Sequence, residues 1–130
     1  MKVKLPDVTK KKKKNNEVEE VLIELKNIIE SNFDKKILVL IMTSSTINND
    51  KETVLSYAAY LSFLNKNKFS YRLFEINCIN PDGGLPVNVV AFSGPSESFG
   101  IANSKDDLIK IIEMIFEMDR TQTIILSNFK

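Results

Sequence analysis

The distribution of apolar residues along the first half of the chain predicts two helices separated by a strand. Apolar residues recur at helical spacing after Asn16, which predicts an amphipathic helix that ends near Ser31. The continuous apolar run at residues 37–42 is typical of a central strand buried on both faces. A polar loop is predicted over residues 43–49, and the apolar spacing over residues 50–64 predicts a second helix.

The middle of the chain predicts strands instead of helices. Residues 69–78 are rich in aromatic side chains and have strand character, and residues 80–84 contain the strongest turn signal of the chain. Residues 85–93 and 98–103 predict a hairpin that is closed by a Gly-Pro pair. We therefore expect three strands in this part of the chain.

The last part of the chain predicts a helix and a short strand. Ser104 and Asp107 have the spacing of a capping box, so we expect a third helix to begin there. The apolar tail at residues 121–129 predicts an extra strand, which pairs either with the sheet or with the edge of a neighbouring molecule. The first strand–helix–strand unit predicts a parallel crossover. Together these elements predict an α/β fold, a mixed sheet flanked by helices.

One segment of the chain resembles the thioredoxin-fold family. Gly84-Leu85-Pro86, followed by an apolar strand at residues 87–92, is similar to the Gly-Ile-Pro that precedes a strand of that family. The resemblance covers residues 17–118 and implies a thioredoxin-like mixed sheet over a single domain, residues 17–130. It also implies that Pro86 is cis and faces the functional site.

Two departures from the family pattern change the function that the resemblance implies. Thr46 and Asn49 stand where the family has Cys-x-x-Cys, when the first central strand is aligned without gaps. Neither side chain forms a thiolate or a disulfide, so thiol exchange is excluded there. The helix between the second and third central strands is also missing. Redox-inactive members of this fold act as binding or assembly modules, which implies a structural subunit that meets its partner at Thr46, Asn49 and Pro86.

Composition removes several classes of chemistry. The chain has 130 residues and no histidine, so imidazole catalysis and histidine metal ligation are excluded. The single cysteine, Cys78, excludes an intrachain disulfide and a zinc–cysteine cluster. Cys78 is in phase with Phe74 and Ile76, which predicts a core residue and not a nucleophile. We therefore expect no enzyme activity, metal or cofactor. We also expect no transmembrane segment, and a reducing intracellular compartment, the cytoplasm or the nucleus.

Charge is divided unevenly along the chain. Residues 1–16 have a net charge of +6, whereas the remaining residues have a net charge of −5. Five of the N-terminal lysines are consecutive: Lys10, Lys11, Lys12, Lys13 and Lys14. Because these charges repel one another, we expect residues 1–16 to form a flexible basic arm that attracts an anionic partner, such as nucleic acid or an anionic surface. A merely solubilising tail is the alternative.

Two further functions stay open. The hydroxyl-rich segment from Thr43 to Asn49 lies between a predicted strand and a predicted helix, where α/β proteins often bind ligands. It favours a small flavodoxin-like or nucleotide-binding protein, although the glycines and lysine of a P-loop are absent. The lysine run favours a nucleic-acid-associated protein, whose binding should weaken as salt rises.

Overall fold

The computed structural model describes residues 16–64, 69–81, 83–92 and 96–128. They have a mixed α/β architecture, a five-stranded antiparallel sheet with three helices. In chain order the elements are α1 (Glu17–Asn32), β1 (Ile37–Ile47), β2 (Thr53–Phe63), β3 (Ser70–Cys78), β4 (Val87–Phe92), β5 (Ser96–Ala102), α2 (Lys105–Glu117) and α3 (Asp119–Asn128). None of the described helices is long and apolar enough to span a membrane.

The sheet is a meander, in which every strand pairs antiparallel with its neighbour in sequence. β1 and β5 therefore form its two edges. Helix α1 contacts β1, α2 contacts both α1 and β5, and α3 packs on α2. Residues that are directly opposed in antiparallel strands project to the same face of a sheet. We call the face that α1 and α2 cover the helix face.

The hydrophobic core lies between the helix face and the two helices that cover it. Its most deeply buried side chains come from α1, α2 and strands β1 to β4: Val18, Ile37, Val39, Leu61, Phe63, Leu73, Phe74, Ile76, Val87, Val89, Leu108 and Ile115. Burial of this apolar surface is the main force that holds the helices against the sheet.

Two local predictions about the helices are confirmed. Asn16 is the N-cap of α1, because its side chain accepts hydrogen bonds from the N–H groups of Val18 and Glu19. Ser104 is the N-cap of α2 and accepts a hydrogen bond from the N–H group of Asp107. The predicted strand at residues 69–78 is also present, as β3.

The helix predicted over residues 50–64 is wrong, because this segment forms β2. Burial there alternates with a period of two, so that Tyr57, Ala59, Leu61 and Phe63 are buried and the residues between them are less so. The apolar positions fit both periods, and pairing with β1 on one side and β3 on the other selects the strand. The predicted parallel crossover is therefore absent.

Two further segments differ from their predictions for tertiary reasons. Residues 43–47, predicted to be a loop, continue β1, because β2 returns alongside them and supplies hydrogen-bond partners. The tail predicted to be a strand is helix α3, whose Thr121 is buried. The thioredoxin-like arrangement is not confirmed, since every pair of described strands is antiparallel.

Candidate functional site

β1 forms one edge of the sheet, and its burial changes along its length. Ile37 and Val39 are buried beneath α1, whereas every residue from 42 to 47 is exposed. Among the described residues, no strand pairs with β1 on the side away from β2. Unpaired N–H and C=O groups on such an edge are available to another chain.

On this free side, two side chains of α1 form hydrogen bonds with the backbone N–H and C=O groups of Val39. Lys26 Nζ donates a hydrogen bond to the Val39 carbonyl at 3.2 Å, and Glu30 Oε2 accepts one from the Val39 N–H at 3.1 Å. Lys26 and Glu30 also form an ion pair at 2.7 Å. The hydrogen bond from Lys26 lowers the pKa of the Glu30 carboxyl below its ordinary value, which keeps it charged. We call this pair the Val39 clamp.

The Val39 clamp shows which backbone groups of β1 face the free side. Along an antiparallel strand, successive residues direct their N–H and C=O groups alternately toward and away from the neighbouring strand. Lys36 and Asn48 direct theirs toward the β2 side, where they bond to Leu64 and Glu52, whereas Val39 points away. The odd-numbered residues at 41, 43, 45 and 47 therefore also point away from β2. We call residues 41–47 the open edge.

A groove of about 260 Å³ lies between α1 and the open edge. Its lining combines an apolar floor with one residue of each charge: Glu19, Leu22, Ile23, Lys26, Ile41, Thr43 and Tyr57. Ile23 is 59% exposed, so part of this apolar surface is uncovered. Lys26 lies beside Val39, whereas Glu19 lies beside Tyr57, which pairs with Thr43. The groove thus has a basic end and an acidic end.

Tyr57 fixes the acidic end of the groove. Its hydroxyl donates a hydrogen bond to Glu19 Oε1 at 3.1 Å and accepts one from Asn16 Nδ2 at 3.1 Å. Burial, together with the Glu19 carboxylate, raises the pKa of Tyr57 to about 12. The phenol is therefore neutral at physiological pH and serves to attach the first turn of α1 to β2.

The structure separates the three residues that were predicted to meet a partner. Thr46 is an exposed residue of the open edge, and Asn49 is exposed in the turn that follows. Pro86 is half-buried immediately before β4, and β2 and β3 lie between β4 and β1. The Leu85–Pro86 peptide bond is cis, as the resemblance implied. Partner binding at these three residues stays a prediction, and only Thr46 belongs to the open edge.

The segment from Thr43 to Asn49 does not have the geometry expected of a nucleotide-binding loop. It runs from β1 into a hairpin turn, where Asn48 Oδ1 accepts hydrogen bonds from the N–H groups of Asp50 and Glu52. The next element is a strand, so the expected helix N-terminus, which would attract a phosphate, is not at this position.

The remaining candidate residues belong to the core or lie outside the described residues. Cys78 is buried and its thiol donates a hydrogen bond to the Gly83 carbonyl at 3.3 Å, which confirms the predicted core position. Within the part of the chain that the structure describes, no cluster of acidic and cysteine residues could hold a metal ion. The lysines at positions 10–14 lie outside that part.

The open edge and the Val39 clamp were both missed by the sequence analysis. No residue type marks β1 as an edge in the sequence, because its eleven residues contain no charge and no proline and end in a Thr-Ser-Ser-Thr-Ile run. The clamp has the ordinary spacing of an ion pair on a helix surface, so nothing local marks its contact with β1. Comparison of the chain with models of protein families, with curated proteins and with solved structures found no match.

Proposed function

We propose that the chain is a non-catalytic binding subunit that joins another polypeptide by strand addition at the open edge. The observation that carries this proposal is the contrast along β1: the N–H and C=O groups of Val39 are bonded to the clamp, whereas those of the odd-numbered residues of the open edge face outward beside a groove. Strand addition supplies affinity through main-chain hydrogen bonds and specificity through side-chain pockets.

The composition of β1 supports this use of the edge. Natural sheets protect their edges with lysines, prolines or inward-pointing charges, because unprotected edges pair with other chains. β1 carries none of these residues along its eleven positions. Its protection by α1 is confined to Val39, so the open edge has the character of a surface that is kept available for pairing.

The groove would select the side chains of an added strand. Alternate residues of that strand project to the helix face, where Leu22, Ile23 and Ile41 form an apolar floor. Full burial of one large apolar side chain there would contribute about 2 kcal/mol. Glu19 and Lys26 lie at opposite ends of the groove. An added strand that carries charges of both signs would therefore bind more favourably in one chain direction than in the other.

The lysine run gives the proposed subunit a second, longer-range attraction. Residues 1–16 carry a net charge of +6, so they would concentrate the chain near an anionic partner. This part of the proposal is based on the sequence, and it predicts that the contribution of the arm falls as salt rises.

A random linear peptide library tests the proposal. The full chain is immobilised sparsely, so that its copies do not meet, and the affinity of each enriched peptide is then measured by fluorescence anisotropy. Thr43→Pro removes an N–H group that points away from β2, a position at which an edge strand tolerates proline. We expect this variant to lose about tenfold or more in affinity, a loss of about 1.4 kcal/mol.

Two further variants make this test decisive. Thr43→Ala keeps the N–H group, so its affinity should stay within about twofold of the wild type. Ser45→Pro repeats the removal at the next outward-facing residue, which guards against a folding defect specific to position 43. Enriched peptides that bind both proline variants as tightly as the wild type would show that the open edge is not the binding site.

A further inference from the structure

We propose that the chain added to the open edge is the open edge of a second copy, which gives a two-fold dimer with one continuous sheet. This inference rests on the proposed function and names the partner of the same edge. It follows from three features of the molecule: the residue pattern of the open edge, the position of the Val39 clamp and the exposure of Ile47.

The open edge is its own complement when it is paired antiparallel about Ser44. It consists of Ile-Met-Thr-Ser-Ser-Thr-Ile, with an isoleucine at each end and, between them, Met42 and four hydroxyl residues. Pairing about Ser44 places Ile41 opposite Ile47 of the second copy and Thr43 opposite Ser45. Pairs of β-branched apolar residues and pairs of hydroxyl residues are favourable across antiparallel strands. No charged residue is present to repel its symmetry mate.

The Val39 clamp excludes one alternative register. In an antiparallel pair, a residue whose N–H and C=O groups point toward the partner strand is opposed by a residue whose groups point back. The outward-facing residues of the open edge are odd-numbered, so each must be opposed by an odd-numbered residue of the second copy. A dimer centred on Thr43 satisfies this condition, but it places Ile47 of the second copy opposite Val39. The N–H and C=O groups of Val39 are already bonded to Glu30 and Lys26, so this register would have to break the clamp.

The extent of the open edge selects among the registers that avoid the clamp, because any centre farther along the strand than Ser44 opposes Ile41 by a residue beyond the end of β1. A dimer centred on Ser45 places Ile41 opposite Asn49, which lies in the turn and outside the strand. A dimer centred on Ser44 opposes residues 41, 43, 45 and 47 of one copy by 47, 45, 43 and 41 of the other. Every outward-facing residue of the open edge is then paired within a strand.

The same register brings an exposed side chain to an uncovered apolar surface. Ile47 is 73% exposed in the single chain, and Ile41 lines the groove together with Leu22 and Ile23. Because Ile47 of the second copy is opposed to Ile41, it projects to the helix face beside this groove. The two-fold axis repeats the contact, so both copies cover an exposed isoleucine.

Sedimentation velocity of the full chain over a range of concentrations tests the dimer. We expect the wild type and Thr43→Ala to dimerise. Thr43→Lys combined with Ser45→Lys places a lysine opposite a lysine in both Thr43–Ser45 pairs of the dimer. This double variant should weaken dimerisation by about tenfold or more. The matched variant, Thr43→Lys combined with Ser45→Glu, opposes unlike charges at the same positions and should retain the dimer.

A cysteine on the proposed axis tests the register. Ser44 would face its own symmetry mate in a non-hydrogen-bonded pair, with Cα atoms about 4.5 Å apart, which is within disulfide range. Mild oxidation of Ser44→Cys should therefore give a covalent dimer. Thr46→Cys, which would face Met42 of the second copy, should not. The wild type, oxidised in the same way, is the negative control and should stay uncross-linked, because its cysteine, Cys78, is buried.

The two experiments separate this inference from the proposed function. Loss of the dimer with the paired lysines, together with cross-linking through Ser44→Cys, supports the inference. A chain that stays monomeric at every concentration, but binds library peptides at the open edge, overturns the inference and leaves the proposed function standing. A dimer that survives the paired lysines or does not cross-link through Ser44→Cys also overturns it.

Discussion

Glu19 and Tyr57 meet at the acidic end of the groove, where the tyrosine hydroxyl donates a hydrogen bond to Glu19 Oε1 at 3.1 Å. Asn16, the N-cap of α1, donates to the same hydroxyl at 3.1 Å. One phenol on β2 therefore holds both the residue that begins α1 and a charged residue of the groove. This contact joins the start of α1 to β2 beside the open edge.

Removal of the Tyr57 hydroxyl should destabilise the chain. We expect Tyr57→Phe to reduce the free energy of unfolding by about 1 kcal/mol, because it removes both hydrogen bonds and keeps the ring. Urea unfolding measures the change. Tyr60→Phe, at a half-buried position on the same strand, is the matched control and should cost less than about 0.5 kcal/mol. Equal losses in the two variants would contradict the role of the Tyr57 contacts.

Alkaline pH should destabilise the chain through the same residue. The pKa of Tyr57 is raised from 10.0 to about 12, first by burial and then by Glu19. The unfolded chain therefore loses this proton first, so the stabilisation is fully present below pH 10 and falls as pH rises toward 12. A titration of phenolate absorbance should show a late tyrosine that disappears in Tyr57→Phe and persists in Tyr60→Phe. The absence of a late step in the wild type would contradict this assignment.

Acid should remove the stabilisation that Glu30 provides. Its pKa is lowered from 4.5, mainly by the hydrogen bond from Lys26, so its contribution is fully present above pH 4.5 and is lost as pH falls through the folded value. We expect Glu30→Gln to cost less than about 1 kcal/mol at neutral pH, because the ion pair is partly solvated. Urea unfolding at several pH values should show this difference shrinking in acid. Glu24→Gln, at an exposed position of the same helix, is the control, and a difference for Glu30→Gln that does not change with pH would be inconsistent with the clamp.

The start of α2 should depend on its cap. Ser104 Oγ accepts a hydrogen bond from the Asp107 N–H at 3.1 Å, and the Asp107 carboxylate accepts one from the Asn103 N–H at 3.3 Å. Ser104→Ala should lower the free energy of unfolding by about 1 kcal/mol, whereas Ser104→Asp keeps a side-chain acceptor and should lower it less. Thermal unfolding compares the two. If both variants cost the same, the side-chain acceptor does not stabilise the helix.

The parts of the fold that depend on local interactions could be predicted from the sequence. The caps at Asn16 and Ser104 act within three residues of the helix start, and the pattern of β3 is unambiguous. The pattern of residues 50–64 fits both a helix and a strand, and the choice is made by pairing with β1 and β3. That pairing is a property of the whole sheet, so local spacing could not show it.

The candidate site could be predicted only in part, for the same reason. The hydroxyl-rich segment after residue 42, which stands out in the sequence, includes Thr46 and lies on the open edge. Residues 43–47 were predicted to be a loop and are a strand, because a polar run after an apolar strand is locally typical of a loop. Whether β1 is an edge depends on the order of strands in the sheet, and the contact of Lys26 with the Val39 carbonyl depends on the position of α1 over β1.

The order of elements has a consequence during synthesis of the chain. The residues of the clamp lie in α1, which leaves the ribosome before β1, and every residue of the groove lies between Glu19 and Tyr57. The helix that closes Val39 is thus already made when the uncharged strand emerges, at the stage when a nascent chain is most exposed to wrong partners. Strands β3, β4 and β5 are translated later, so the pairing surface and its protection are encoded together in the first half of the chain.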